Sequence, residues 1–285
     1  MISLETATEM IERSRRRSVW LSPHTILLLL IGGTLGALLA RPDWLTDDAL
    51  GRWLWPQVVL LSFVVWIWQR ARQQHKAVAM TASLWEAVQF KDWARAESLL
   101  TLLLRRPVPL PVMRMRTLMV LAAVADGQKQ YAVSQHVLDS VLREPGVDRG
   151  LQFSARVAMA AALLRTHQLT DAVSLIDRLL REGLPDPLRA QVELVNLFRL
   201  VLMGQVQDAV DGAALRRALF RRHLGTRAGY GYALLAAAFD RAGQADQAGP
   251  YWRDATLLIP PAELVDKFAE IASVAVKYPA SERPV

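Results

Sequence analysis

The chain has 285 residues, a formal net charge of +7 and no cysteine, and 52% of its residues are apolar. Without cysteine there is no disulfide framework, no cysteine-ligated zinc or iron–sulfur site and no thiol nucleophile. The apolar share exceeds that of a typical soluble chain, and the excess lies near the N-terminus, where eight of the nine tryptophans precede residue 100. This distribution indicates a membrane segment.

Two uncharged apolar runs follow a basic N-terminus at residues 1–18; they lie at residues 19–40 and 53–69 and are separated by a polar loop at 41–52. The first run is long enough to span the ~30 Å hydrocarbon core, and the second, of about 17 residues, is at the lower limit. The short loop makes the runs antiparallel. We therefore predict a two-helix transmembrane hairpin over residues 19–69. The alternatives are a buried hairpin in a soluble fold and a cleavable signal peptide.

Tryptophans mark the four predicted membrane boundaries, where the amphipathic indole ring is favoured. They are Trp20, Trp44, Trp53, Trp55, Trp66 and Trp68. Basic residues are concentrated before the first run and after the second, so the positive-inside rule predicts that both termini and the following domain are cytoplasmic, at a bacterial-type inner membrane. Gly32 and Gly36 permit close helix approach, which serves either packing within the hairpin or formation of a homo- or hetero-oligomer.

Residues 70–277 consist of helix-length segments broken at intervals of 36 to 40 residues. Each interval contains a turn residue followed five positions later by alanine. The pairs are Lys91 and Ala96, Gly127 and Ala132, His167 and Ala172, Gly204 and Ala209, and Gly243 and Ala248. This is the scale of a two-helix solenoid unit, and it predicts about five repeats.

The pattern resembles the tetratricopeptide repeat (TPR) family. The fifth unit matches best, with Tyr232, Leu235, Ala236, Phe239, Ala248, Trp252, Ala255 and Pro260 at the family's aromatic, small and proline positions. The second unit departs, with His136 and Asp139 where a large apolar and a small residue are expected, and the fourth places Arg216 at a small position. The resemblance implies an all-α solenoid of antiparallel helix pairs; a non-repeating helical bundle is the alternative.

The last predicted helix covers residues 261–277 and is amphipathic, with Leu264, Phe268, Ile271 and Val274 on one stripe. Such a helix is typical of the cap that closes an open solenoid end. We expect residues 278–285 to be a disordered tail.

No catalytic motif occurs in the sequence, and the five histidines lack a metal-binding partner at helical spacing. We therefore predict no enzyme activity, no cofactor and no metal site. The densest basic cluster is Arg216, Arg217, Arg221, Arg222 and Arg227. It is either a solvated face or a site for anionic lipid headgroups or an acidic partner. Nucleic acid is disfavoured because no aromatic residues interleave with the arginines.

The TPR resemblance implies a concave groove lined by the first helix of each unit, which would hold an amphipathic helix or an apolar peptide. At the family's groove positions stand Trp85, Arg114, Thr117, Leu121, Val157, Gln191, Leu194, Phe198, Tyr230 and Asp240. The alternative is that several of these residues are core between repeats.

These patterns predict a membrane-anchored scaffold that uses a TPR-like groove to recruit or organise protein partners. The alternative is an accessory or assembly subunit of a larger membrane complex. A weaker resemblance in layout, carried by the span order and by Asp92 to Glu97 (DWARAE), is to the HemY-type inner-membrane TPR proteins linked to heme biosynthesis. The sequence identifies neither the partner nor the pathway.

Overall fold

A computed structural model describes residues 2–15, 63–65, 67–68, 72, 79–105, 108, 111–144 and 148–279. The described residues form helices and turns with no strand, so the predicted all-α class is confirmed. Among them no helix combines the length and the apolar character needed to cross a bilayer. Apart from a few residues between 63 and 68, the predicted hairpin at 19–69 lies outside the described part of the chain, as does the predicted tail beyond Pro279.

The helices, numbered in chain order, are α1 (Leu4–Arg15), α2 (79–89), α3 (Trp93–Leu104), α4 (Pro111–Gly127), α5 (Tyr131–Leu142), α6 (Arg149–Arg165), α7 (Leu169–Arg181), α8 (Asp186–Leu202), α9 (Val206–Asp211), α10 (Ala213–His223), α11 (Ala228–Arg241), α12 (Ala245–Leu258), α13 (Pro261–Lys267) and α14 (Ala272–Lys277). Short 3₁₀ turns lie at Gly225–Arg227 and Ala269–Ile271. The chain divides into two compact units, Met1–Leu151 and Gln152–Val285.

One turn geometry recurs five times, between α2 and α3, α4 and α5, α6 and α7, α8 and α9, and α11 and α12. Each turn contains a residue with positive φ, 37 to 39 residues after the previous one: Lys91, Lys129, His167, Gly204 and Gly243. In the last turn the N–H of Gln244 donates to the carbonyl of Phe239 at 2.9 Å, and the N–H of Gly243 donates to Asp240 at 3.1 Å. The other four turns have the same two bonds. These are Schellman motifs, which satisfy the last carbonyls of the first helix.

A small residue five positions after each positive-φ residue is buried in the second helix. Four are the predicted alanines, but in the second repeat the structure differs from the prediction. The left-handed residue is Lys129, and Gly127 ends α4, so the equivalent small residue is Ser134, not the exposed Ala132. In this register the next two core positions are Leu138 and Val141, which are fully buried. The apparent departure at His136 and Asp139 was therefore an error of register.

The fourth repeat does depart from the TPR pattern at Arg216, and the structure explains why. Its second helix breaks at Gly212 into α9 and α10. Arg216 folds back over the break, where its Nη1 donates to the carbonyls of Asp208 at 3.1 Å and Ala209 at 2.9 Å. A Cβ at Gly212 would lie 2.4 Å from that Nη1, so a larger residue there would displace the guanidinium. The Arg216 side chain thus satisfies carbonyls that the break leaves without helical donors.

The first unit has an N-terminal helix where a basic tail was expected. Helix α1 packs on α3 and α5, and its apolar residues Ile2, Ala7, Met10 and Ile11 are buried. Residues 7, 10, 11 and 14 follow the i, i+3, i+4, i+7 spacing of an amphipathic helix, a signal that the sequence already carried. In the first unit, residues before the predicted hairpin and residues after it therefore pack in one core.

The second unit has a continuous apolar core that runs from Ala160 to Val274. The fifth-repeat residues predicted to be buried are buried, including Tyr232, Phe239, Ala248 and Trp252. The predicted single capping helix is wrong. Phe268 adopts an extended conformation (φ −136°, ψ 101°) that separates α13 from the following 3₁₀ turn and α14. Tyr278, expected in a disordered tail, is held by a hydrogen bond to Asp240 at 3.1 Å.

Candidate functional site

The residues expected to line the groove differ in exposure. Trp85 on α2 is 47% exposed, and Gln191 on α8 and Tyr230 on α11 are half-buried. The side chains of Arg114, Thr117, Leu121, Val157, Leu194 and Phe198 are buried. Most of the predicted lining is therefore core between helices, which was the alternative reading of these positions.

The C-terminal segment covers the α8 and α11 side of the second unit. The ring of Phe268 lies 4.9 Å from that of Phe198 and 5.9 Å, edge-on, from that of Tyr230. Leu264, Ile271 and Val274 are fully buried beside it. The stripe predicted from the sequence is thus confirmed as an apolar face. It bends at Phe268 and packs along α8 and α11.

Polar contacts hold the same segment along its length. The hydroxyl of Tyr230 donates to Glu263 Oε1 at 2.7 Å, and Arg241 Nη2 donates to the carbonyl of Glu270 at 3.0 Å. Asp240, another predicted groove residue, accepts from Lys277 Nζ at 2.6 Å. Because this segment continues directly from α12, a peptide from another protein would compete with a local, covalently attached ligand at high effective concentration. The C-terminal segment therefore covers the side of α8 and α11 at which the TPR resemblance places a groove.

These contacts shift two pKa values on the groove side. Burial raises the pKa of Tyr230 far above its ordinary 10.0, and the hydrogen bond to Glu263 raises it further. The hydrogen bond to Asp240 raises the pKa of Lys277. At neutral pH both groups are protonated, so each donates the hydrogen bond that it makes here.

A buried polar cluster lies in the first unit around Arg114. Its Nε donates to Ser14 Oγ of α1 at 3.0 Å, and its Nη1 donates to Glu144 Oε1 at 2.7 Å. Ser14 in turn donates to the carbonyl of Ile11 at 2.7 Å. Thr8 and His136 make a second polar link between α1 and α5, with Oγ1 and Nε2 3.1 Å apart. Arg114, predicted as a groove residue, is therefore a link between the N-terminal helix and the second repeat.

The predicted basic patch separates into inner and outer arginines. Arg216 is mostly buried, with Nε 3.2 Å from Glu193 Oε2. Arg217 pairs with Asp254 at 2.6 Å and stacks 5.2 Å from the ring of Tyr251, which itself stacks on Phe239. Arg217 therefore links repeats four and five and remains half exposed, whereas the partners of Arg216 lie within repeat four.

Arg221, Arg222 and Arg227 are exposed, and none of them takes part in an ion pair within the described residues. Leu215 lies on the same outer face of α10, one heptad before Arg222, and is 72% exposed. Ala214 and Ala218 are exposed between them. The outer face of α10, defined by Ala214, Leu215, Ala218, Arg221 and Arg222, is cationic with one large apolar side chain, and Arg227 lies beyond it in the 3₁₀ turn.

Of the six boundary tryptophans, the structure describes only Trp68. Its side chain is 59% exposed, and the guanidinium of Arg72 lies 5.2 Å from its ring. Phe63, Val64, Val65 and Ile67 precede it in helical conformation and are each at least 40% exposed. The other five, Trp20, Trp44, Trp53, Trp55 and Trp66, lie outside the described residues, as do Gly32 and Gly36.

Four of the six residues of the DWARAE turn have side chains with a structural role. Asp92 caps α3 by accepting from the N–H of Arg95 at 3.1 Å, and Ala96 is fully buried. The ring of Trp93 covers Gly127, where a Cβ would lie 2.5 Å from it. Glu97 accepts from Gln128 Nε2 at 3.3 Å. Folding alone therefore accounts for the turn.

The described part of the chain contains no group of three or more acidic or histidine side chains placed to hold a metal ion. No family model matches this sequence, and the comparisons with curated proteins and with solved structures find no match. The repeat assignment therefore rests on the chain's own five turns.

Proposed function

We propose that this chain is a non-enzymatic, membrane-anchored scaffold with TPR-like repeats that recruits or organises protein partners at the cytoplasmic face of a membrane. The observation that carries the proposal is the five-fold recurrence of one Schellman turn followed by a buried small residue. Repeats of this kind stack into extended surfaces that serve for binding. In that reading the five helix pairs form a solenoid.

The exposed apolar residues before α2 support the anchor. Phe63, Val64, Val65, Ile67 and Trp68 are nearly consecutive, so at about 100° per residue their side chains spread over more than half of the helix circumference. A single protein surface covers one face of a helix, whereas lipid surrounds it. The guanidinium of Arg72 over Trp68 matches the aromatic and basic pair expected where a span leaves the membrane.

The position of α1 supports an even number of membrane crossings. Helix α1 precedes the predicted hairpin and α3 to α5 follow it, yet Ser14 and Arg114 are hydrogen-bonded in one core. Segments that share a core lie on one side of a membrane. A hairpin of two spans satisfies this condition, whereas a single span or a cleaved signal peptide does not account for it.

Among the predicted groove residues, Trp85 is the most exposed, at 47%. In the second unit, the C-terminal segment covers the predicted groove residues Phe198 and Tyr230. The test is affinity purification of the full chain from detergent-solubilised membranes. Trp85→Ala should reduce recovery of a directly bound partner about fivefold or more, as expected for an aromatic anchor. Phe90→Ala is the matched control, since Phe90 is 78% exposed on the adjacent turn. Equal recovery with both variants would exclude the α2 face.

An accessory subunit of a larger membrane complex is the second candidate, and the exposed apolar helix at 63–68 is what favours it. In that case the hairpin makes the functional contacts. Replacing residues 19–69 with an unrelated two-span anchor separates the candidates: retained recruitment supports the scaffold, and lost assembly supports the subunit. A HemY-like role in the heme pathway is a variant of this candidate. No contact supports it separately, because folding explains the DWARAE turn that carries the resemblance.

A further inference from the structure

The outer face of α10 carries a charge distribution that the fold does not use. Helix α10 contains no carboxylate, and its two inner arginines are already paired with Glu193 and Asp254. The outer residues Arg221 and Arg222 have no such partner among the described residues, although they follow the inner pair by one helical turn. Packing of α10 against α8 and α11 therefore does not explain why these positions are basic.

The apolar part of the same face is shallow. Leu215 is 72% exposed, and its exposed neighbours on this face, Ala214 and Ala218, add only methyl groups. The opposite side of α10 is anchored in the core by Phe220, whose ring lies against Gly231; a Cβ there would be 2.4 Å from the ring. The face thus presents a single exposed leucine among cations, on a helix whose other side is packed in the core.

We propose that the outer face of α10 docks on the surface of an anionic lipid bilayer, with Arg221 and Arg222 facing phosphate headgroups and Leu215 entering the interface. Cationic side chains around an exposed aliphatic group are the pattern of interfacial membrane contact. A protein interface has an apolar core of several large side chains, whereas this face exposes only one, Leu215. The inference rests on the proposed anchoring, because tethering makes a weak surface contact effective.

The absence of native cysteine permits a direct test. The full chain carrying Ala218→Cys is labelled with an environment-sensitive fluorophore and reconstituted into nanodiscs of phosphatidylcholine with or without phosphatidylglycerol. We expect a blue-shifted, brighter emission only in the anionic discs, and loss of the shift when sodium chloride is raised from 0.1 to 0.5 M, because salt screens headgroup attraction. The same emission in neutral and anionic discs would overturn the proposal.

Two double variants identify the residues. Each arginine near an anionic surface contributes about fivefold in binding, so Arg221→Gln with Arg222→Gln should weaken docking by roughly 25-fold. Arg178→Gln with Arg181→Gln is the matched control, because these arginines are also exposed and lie in the last turn of α7. Equal effects of the two pairs would mean that net charge, not the α10 face, is responsible. Circular dichroism verifies that both variants are folded.

Co-flotation with vesicles separates this inference from the proposed function. A chain that floats with neutral vesicles but shows no lipid-dependent emission keeps the anchor and loses the α10 contact. A chain that floats with anionic vesicles alone, and not after Arg221→Gln with Arg222→Gln, supports the contact and contradicts the anchor. Absence of flotation with either vesicle contradicts both.

Discussion

The Nε of Arg114 donates a hydrogen bond to Ser14 Oγ at 3.0 Å across 100 residues of sequence. This bond joins the segment before the predicted membrane hairpin to the second repeat after it. The guanidinium also pairs with Glu144, whose side chain is about one-fifth exposed. The N-terminal helix is therefore part of the first unit.

Removal of the Arg114 guanidinium should destabilise the first unit. Arg114→Met leaves Glu144 and Ser14 without their partner, and we expect a loss of about 2 kcal/mol in the free energy of unfolding, less than for a fully buried pair. The double variant with Glu144→Gln should recover part of this loss. Denaturant unfolding measures both. Arg13→Met, which removes an exposed pair with Glu9, is the control and should cost less than about 0.5 kcal/mol.

The register of the second repeat predicts opposite tolerances at Ser134 and Ala132. Ser134 is buried at the small position, so Ser134→Leu should cost about 1–3 kcal/mol through overpacking. Ala132 is exposed, and Ala132→Leu should change stability by less than about 0.5 kcal/mol. Thermal unfolding of the two variants decides the register. The reverse order of cost would restore the register that the sequence alone favours.

The left-handed turn residues make a further prediction. Gly204 has φ +71° with open space around it, so Gly204→Ala should cost about 1 kcal/mol through backbone strain alone. Gly183 also has open space but no positive φ, and Gly183→Ala should be neutral or slightly stabilising. Chemical denaturation compares the two. An equal cost would argue against the Schellman geometry at Gly204.

The C-terminal segment should stabilise the second unit as an integral part of its core. Phe268 contacts Phe198 and Tyr230, and Phe268→Ala should cost about 3–5 kcal/mol. Phe90→Ala, at an exposed phenylalanine, should cost little. Unfolding followed by near-UV circular dichroism measures the difference. If Phe268→Ala lowered the free energy of unfolding no more than Phe90→Ala does, the C-terminal segment would not be packed on α8 and α11 in solution.

Tyr230 predicts a loss of stability in alkaline solution. Its folded pKa lies above the unfolded value near 10.0, so the neutral phenol is favoured by folding. The resulting stability is fully present below pH about 10 and is lost as the pH rises toward the folded pKa. Tyr230→Phe should therefore flatten the decline of the free energy of unfolding above pH 10. A decline identical to that of the unsubstituted chain would assign it to Tyr232 or Lys277, whose pKa values are also raised.

Local signals in the sequence predicted most turns but not the second, because glycine serves two purposes. At Gly204 and Gly243 glycine adopts the left-handed conformation of the turn. Gly127 instead makes room for the ring of Trp93, while Lys129 takes the strained conformation. A glycine-based reading therefore placed the second turn two residues early. Only the packing partner distinguishes the two uses.

Contacts distant in sequence explain the other differences. Arg114 has the appearance of a groove residue until Ser14 and Glu144 are placed beside it. No glycine or proline marks the bend at Phe268 in the sequence. The residue is extended, and its ring contacts Phe198 and Tyr230. Arg216 stands where the TPR pattern has a small residue, and the missing side chain of Gly212 leaves room for its guanidinium. Helical periodicity identifies these faces but not what covers them.

The central claim is that α1 and the repeats lie on one side of a membrane that residues between them cross twice. The measurement is single-cysteine labelling by an impermeant maleimide in intact cells and in inverted membrane vesicles, with Glu5→Cys on α1, Gln89→Cys on α2 and Asp47→Cys in the predicted loop. Both Glu5 and Gln89 are exposed in the structure, so each cysteine should react. The account predicts that positions 5 and 89 label from the cytoplasmic side and position 47 from the opposite side. Labelling of positions 5 and 89 from opposite sides, or of all three from the same side, would contradict it.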